Sequence, residues 1–111
     1  MAIYETATKL ANEIKSSKEY IQFKKCMQEI KKDSECEKLL TDYKMSKVKV
    51  QSFIKNNQKE YKRNLAKFES LQKKVLNNKK LYRYLHSEQQ FTYMMANINQ
   101  ILSQVVENDY K

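Results

Sequence analysis

The sequence has no glycine, proline or tryptophan, and its 111 residues include only two cysteines and one histidine. Because glycine and proline supply most β-turn and hairpin chemistry, their absence disfavours a strand-rich fold. Phosphate-binding loops and dinucleotide fingerprints also require glycine, so both are excluded. Two cysteines are too few for a disulfide scaffold and indicate reduced, cytoplasmic thiols.

Helix-forming residues dominate what remains, chiefly Lys, Glu, Gln, Leu, Ala and Met. We therefore predict an all-α fold in a single domain over residues 1–111. The mean hydropathy is −0.87 and 32% of the residues are charged, so no segment is apolar enough to span a membrane. The opening "MAIYETATKL" lacks the basic and apolar blocks of a signal peptide. We expect a soluble cytoplasmic protein without a membrane partner.

Two short helices are predicted before residue 33. The first runs from Ile3 to Lys15, and Ser16 with Glu19 forms a capping box that starts the second. Either Asp33 or Ser34 is expected to cap the helix that follows. The second helix has four apolar residues on one face: Tyr20, Phe23, Met27 and Ile30.

The central third predicts two long helices. Between Cys36 and Leu76, eight apolar residues lie within about 60° of one direction at 100° per residue. We predict an antiparallel hairpin that turns at residues 55–60, with one unbroken helix of about 40 residues as the alternative. A hairpin is a single layer, so we expect homodimers or higher homo-oligomers formed through this stripe. The stripe, called the seam below, contains Leu39, Tyr43, Val50, Ile54, Tyr61, Leu65, Phe68 and Val75.

The C-terminal third predicts two more helices. "NN" at residues 77–78 marks a break, after which a short helix contains Leu81, Tyr84 and Leu85. Ser87 is then expected to cap the last helix, with Gln90 at the third position. The last helix has an apolar stripe made of Phe91, Met94, Ile98, Ile101 and Val105.

The positive charge is concentrated in the predicted hairpin. The chain has a net charge of +9, and residues 41–86 carry thirteen Lys and Arg against three acids. On the helical wheel, Lys47 falls in the seam, but nine basic residues lie more than about 90° from it and predict a basic back: Lys44, Lys49, Lys55, Lys59, Lys62, Arg63, Lys67, Lys73 and Lys74. The candidates for contact with nucleic acid or an acidic partner are Lys44, Lys55, Lys59, Lys62, Arg63, Lys67, Lys73 and Lys74.

Three stretches resemble a known family. They are "IYETATKLANEIKSSKEY" (3–20), "DSECEKLLTDYKMSKVKVQ" (33–51) and "NKKLYRYLHSEQQFTYMMANINQIL" (78–102). Together they resemble the YlbF/YmcA/YheA family of small helical bacterial proteins, most closely the YheA-like members. Two features differ from the family pattern: "KNNQKE" stands where relatives usually have Gly or Pro at the hairpin tip, and the hairpin is basic.

The resemblance implies an all-α protein with a long hairpin that assembles into dimers or higher oligomers. It also implies a regulatory role, because YlbF and YmcA act with a third protein in mRNA processing and support competence, sporulation and biofilm formation. A protein partner of the same family is one expectation from this resemblance. The Cys-rich tail that YlbF-type members use for iron–sulfur binding has no counterpart in "VVENDYK".

No residue pattern indicates catalysis. Cys26 and Cys36 are expected to be structural thiols, since an iron–sulfur or zinc site needs about four ligands. His86 has no nucleophile in a triad context and is expected to lie at a helix junction. We therefore predict no enzyme activity, no metal and no cofactor.

Two functional hypotheses remain. The first is a helical adaptor that acts through homo- or hetero-oligomeric contacts, in bacterial RNA processing or developmental regulation. The second is a weakly specific RNA- or DNA-binding module that uses the basic back over residues 44–83. In that module, Tyr61, Tyr82 and Tyr84 would stack on unpaired bases. An acidic protein would fit the same basic residues.

Overall fold

The computed structural model describes residues 1–52 and 58–109, with side chains described up to residue 107. This part of the chain forms five α-helices and no strand, which confirms the predicted all-α class. None of these helices combines the length and apolar character needed to cross a bilayer. The helices are α1 (Ala2–Ser16), α2 (Lys18–Lys31), α3 (Ser34–Ser52), α4 (Gln58–Leu76) and α5 (Lys79–Asp109).

The chain divides into two compact units. Unit 1 contains residues 1–26 and 85–111, and unit 2 contains residues 27–84, so the boundaries fall within α2 and α5. The single-domain organisation inferred from the sequence stays a prediction. The division also separates the charge. Residues 27–84 carry sixteen Lys and Arg against seven acids, whereas residues 1–26 and 85–111 carry six of each.

Side-chain caps start three of the helices. The backbone N–H of Tyr20 donates to Ser17 Oγ at 3.2 Å, and Ser17 has the extended backbone of an N-cap. The N–H of Cys36 donates to Asp33 Oδ1 at 3.2 Å. The N–H of Leu81 donates to Asn78 Oδ1 at 3.1 Å. In each case the donor lies three residues after the cap, so one otherwise unpaired N–H of the first turn is satisfied.

These caps confirm some predicted boundaries and correct others. Asp33 caps α3 and the break at residues 77–78 is present. The predicted cap at Ser16 was wrong by one residue, because Ser16 Oγ donates within α1 to the Asn12 carbonyl at 3.0 Å. The predicted helix start at Ser87 was also wrong. Ser87 is 2% exposed and lies inside the continuous α5, where a buried hydroxyl is compatible with helical backbone.

Helices α3 and α4 form the predicted antiparallel hairpin. They contact each other, and residues later in α3 meet residues earlier in α4: Cys36 lies beside Asn78, whereas Tyr43 stacks on Phe68 with ring centroids 5.3 Å apart. α3 ends at Ser52 and α4 begins at Gln58, so residues 58–60 of the predicted turn are helical. The rest of that turn lies outside the described residues.

The buried core of unit 2 lies where its four helical segments begin or end. Among the described seam residues, those on α3 and Tyr61, Leu65 and Phe68 on α4 are only half-buried, whereas Val75 is fully buried. Ile54 lies outside the described residues. Lys47, which the wheel placed in the seam, is exposed, and Ser46 is buried instead. The buried apolar residues of unit 2 are Ile30, Cys36, Leu40, Val75, Leu81 and Tyr84.

Unit 1 is held by a smaller aromatic cluster. Phe91 of α5 stacks on Phe23 of α2 at 5.3 Å between ring centroids, and Tyr20 meets the same ring at 5.9 Å. Cys26 and Ser87 are the residues of this unit that are buried, while α1 buries none of its side chains.

The Asn78 cap provides a test of the fold. Asn78→Ala removes the acceptor for Leu81 N–H and the contact between Asn78 Nδ2 and Cys36 Sγ, which are 3.3 Å apart. We expect the free energy of unfolding to fall by about 1–2 kcal/mol in urea titrations at one fixed protein concentration. The neighbouring exposed substitution Asn77→Ala should change it by less than about 0.5 kcal/mol. Equal effects of the two variants would contradict the capping role.

Candidate functional site

Six of the predicted basic residues form one stripe on α4. All six are exposed and lie within an arc of about 140° at 100° per residue. Tyr61, Leu65 and Phe68 lie on the opposite, half-buried side of the helix. Lys55 lies outside the described residues. The α4 stripe, as it is called below, contains Lys59, Lys62, Arg63, Lys67, Lys73 and Lys74.

Lys44, although exposed, is engaged within unit 2. Its Nζ donates to Tyr84 Oη at 3.2 Å and lies 5.1 Å from the centroid of the same ring. The Tyr84 ring is 5% exposed, so the predicted stacking of Tyr84 on a nucleic-acid base was wrong. The pair instead ties α3 to the first turns of α5, and Lys44 does not belong to the α4 stripe.

A pocket of about 380 Å³ lies at the junction of α4 and α5. Its apolar surface comes from Leu76 and Tyr82, which are 50% and 55% exposed. Tyr82 and Arg83 follow Lys79 by three and four residues, so all three lie on the same side of α5. Asn77 completes the lining. Tyr82 was a candidate from the sequence, but the pocket was not predicted. The i, i+3, i+4 spacing of Lys79, Tyr82 and Arg83 could have indicated that the three side chains share one side of a helix.

Beside this pocket, Asp33 and Lys80 link the two helix junctions of unit 2. Lys80 Nζ donates to Asp33 Oδ2 at 3.1 Å. This bond, together with the N–H of Cys36, lowers the pKa of Asp33 to about 2, and the same carboxylate raises the pKa of Lys80. Burial raises the pKa of the Cys36 thiol, so Cys36 is a protonated structural thiol at neutral pH.

Unit 1 carries a large exposed apolar surface. A groove of about 1010 Å³ lies between α2 and α5, with Ile21, Met94, Ile98 and Ile101 among its apolar lining. Other large apolar side chains of unit 1 are also exposed. The apolar face of unit 1 is defined here as Ile3 and Tyr4 of α1, Ile21 of α2, and four residues within an arc of about 140° on α5: Ile101, Leu102, Val105 and Val106. Ile101 and Val105 belong to the apolar stripe predicted for the last helix, and a helical period alone cannot tell a covered stripe from an uncovered one.

The candidate ligand residues are not assembled into a site. Over residues 1–52 and 58–109, no group of three or more His, Cys, Asp or Glu is placed to hold a metal ion. Cys26 and Cys36 are both buried free thiols. His86 is an exposed residue of α5, and its Nε2 lies 3.2 Å from Gln90 Nε2. Its predicted place at a helix junction was wrong, because α5 continues through it.

The sequence matches the family described as "Control of competence regulator ComK, YlbF/YmcA" over residues 3–107. The chain belongs to this family. Among its relatives, a UPF0342 protein from Halothermothrix orenii is 29% identical over 102 residues, covering 92% of this chain and 86% of the relative. A UPF0342 protein from Caldicellulosiruptor saccharolyticus is 25% identical over 105 residues, covering 95% and 88%.

A solved structure shares the fold. Bacillus subtilis RicA, crystallised in complex with RicF, superposes with a TM-score of 0.66 at 18% identity, covering 99% of this chain and 97% of RicA. The likeness covers nearly the whole of both chains, so it extends over all five helices described here.

The Asp33–Lys80 pair gives a pH-dependent prediction. Because the pKa of Asp33 lies below its ordinary value of 3.8, its stabilising contribution is present above about pH 5 and is lost as the pH falls towards 2. Asp33→Asn keeps a capping oxygen but loses the charge. We expect the wild type to have the higher Tm at neutral pH and the difference in Tm to shrink below about pH 4.

The matched control for this pair is Asp42→Asn, which removes an exposed carboxylate of α3. Its Tm relative to wild type should change little over the same pH range. A constant difference in Tm between wild type and Asp33→Asn, from neutral to acidic pH, would contradict the role of the ion pair.

Proposed function

We propose that the protein is a non-enzymatic helical adaptor that assembles through the apolar face of unit 1, in a bacterial regulatory or RNA-processing complex. The observation that carries this proposal is the face itself. Its seven large apolar side chains, on α1, α2 and α5, are each more than half exposed. At roughly 100 Å² each, a partner that covered all seven would bury about 700 Å² of this chain, close to the ~800 Å² per partner of a standard protein interface.

Helix α1 supports the same proposal. It is an amphipathic helix of 15 residues that buries no side chain. Isolated helices of this length are marginal in water, and most helices gain their stability by packing an apolar face. A partner that covers Ile3 and Tyr4 would supply that packing.

A second copy of this chain is the occupant that we propose. Residues 1–26 and 85–111 carry no net charge, so two copies can approach through unit 1 without net repulsion. The groove between α2 and α5 is concave, and Leu102, Val105 and Val106 offer apolar side chains beyond it. In a two-fold contact, these side chains of each copy would pack into the groove of the other.

The seam is the other candidate for a contact between copies. Tyr43 and Phe68 of the seam already pack on each other within the hairpin. A contact of Leu39, Tyr43, Val50, Ile54, Tyr61, Leu65, Phe68 and Val75 with a second copy stays a prediction.

The family supports a regulatory role through protein contacts. Its description names control of a competence regulator, and RicA, which shares the fold, was crystallised with another protein. A place in RNA processing extends the proposal beyond these findings.

A charge placed in the apolar face should disrupt self-association. Ile101→Glu with Val105→Glu puts two carboxylates where the second copy would bury them, which is strongly unfavourable for unpaired charges. We expect the dissociation constant from sedimentation equilibrium to rise at least ~100-fold, or about 2.7 kcal/mol.

The control variant Gln100→Glu with Ser103→Glu adds the same charge to the polar side of the same turns of α5. It should associate like the wild type. A wild-type protein that sediments as a monomer up to about 100 μM, or a control that dissociates equally, would overturn the proposed interface.

A further inference from the structure

The α4 stripe and the junction pocket form one continuous surface of unit 2. Lys73 and Leu76 are three residues apart on α4 and are therefore neighbours on its surface. Lys73 belongs to the stripe and Leu76 lines the pocket. The surface thus runs from the exposed side of α4 into a half-exposed apolar recess bordered by Lys79 and Arg83.

Basic residues outnumber acids on this surface, although Arg83 pairs with Glu29 at 3.8 Å. The six stripe residues span sixteen positions of α4, or about 22 Å from first to last. Glu60 and Glu69 lie at the two borders of the stripe, and Glu60 pairs with Arg63 at 3.6 Å. Both members of that pair are exposed, and such pairs contribute little. Each of the six cations of the stripe can neutralise one phosphate.

We propose that this surface binds single-stranded nucleic acid with little sequence preference. Phosphates lie along the α4 stripe and against Lys79 and Arg83, and one unpaired base enters the pocket and stacks on Tyr82. An exposed aromatic ring flanked by cations is what single-strand binding requires, because every base has a face that can stack. Lysine, which supplies five of the six stripe residues, neutralises phosphates without reading base edges.

An acidic peptide is the competing ligand, and the pocket argues against it. Charge alone would suit either ligand, but an acidic peptide gains nothing specific from a tyrosine ring between Lys79 and Arg83. The proposal therefore makes Tyr82 the residue that separates the two ligands. It goes beyond the adaptor function, because the apolar face of unit 1 takes no part in it.

The test is fluorescence anisotropy with labelled poly(U), poly(dT) and poly(Glu), each of about 20 units, on the full chain. We expect both nucleic acids to bind and the affinity for poly(U) to fall roughly 300-fold between about 50 and 200 mM salt, as six neutralised phosphates require. Lys62→Glu with Lys67→Glu and Lys73→Glu should abolish binding.

Two matched controls separate the surface from net charge. Lys9→Glu with Lys25→Glu and Lys32→Glu changes the net charge equally at exposed positions in α1, in α2 and just after α2, and it should keep most of the affinity. Tyr82→Ala should weaken binding to poly(U) about 10-fold, the loss of one stacked base, whereas Tyr93→Ala removes a more exposed tyrosine of unit 1 without effect.

Circular dichroism and the urea midpoint confirm that each variant is folded. No binding of poly(U) at about 50 mM salt would overturn the proposal. So would an equal loss in the two triple variants, or unchanged affinity in Tyr82→Ala. If poly(Glu) bound as tightly as poly(U), the surface would instead be a site for acidic proteins.

Discussion

Three of the described helices, α2, α3 and α5, begin at side-chain oxygens that accept backbone N–H groups, in a chain without glycine or proline. No described residue has a positive φ angle, so every described junction is made with ordinary backbone. Asp33 and Asn78 do more than cap. Asp33 also binds Lys80, and Asn78 also contacts Cys36, so the start of α3 and the start of α5 are held to each other. The buried residues of unit 2 surround these junctions.

Charge and apolar surface are separated between the two units. Residues 27–84 hold the whole net charge of +9, and the remainder is neutral but exposes the apolar face of unit 1. The proposed self-association and the proposed binding of a polyanion would therefore use different residues of one chain. In an adaptor this separation is useful, because assembly through a neutral face leaves the cationic helix α4 available to a second ligand.

Much of the fold was predictable from the sequence, because an amphipathic period of 3.6 residues is a local property. The hairpin, the break at residues 77–78 and the cap at Asp33 all follow from residue type and spacing. The start of α5 did not follow from residue type. Ser87 is a residue type that often caps a helix, but in the structure it is buried and lies inside the continuous α5. Tyr84 was misassigned for the same reason, since its ring is covered by a contact forty positions away in the sequence.

The candidate surfaces were predictable only in part. Lys59 through Lys74 could be placed on one side of a helix from the wheel alone. Predicting the pocket beside Tyr82 requires the geometry of the α4–α5 junction. Predicting the apolar face of unit 1 requires knowing that no other helix covers it. Both depend on which surfaces other helices leave uncovered, and no local pattern contains that information.

The two cysteines, one in each unit, are both buried as free thiols. A buried thiol reacts with an alkylating reagent only when its surroundings open, so the labelling rate of Cys26 follows the opening of unit 1 and that of Cys36 the opening of unit 2. The natural sequence thus carries a built-in pair of reporters. Their labelling rates can show whether the two units open independently or together, without the introduction of a probe.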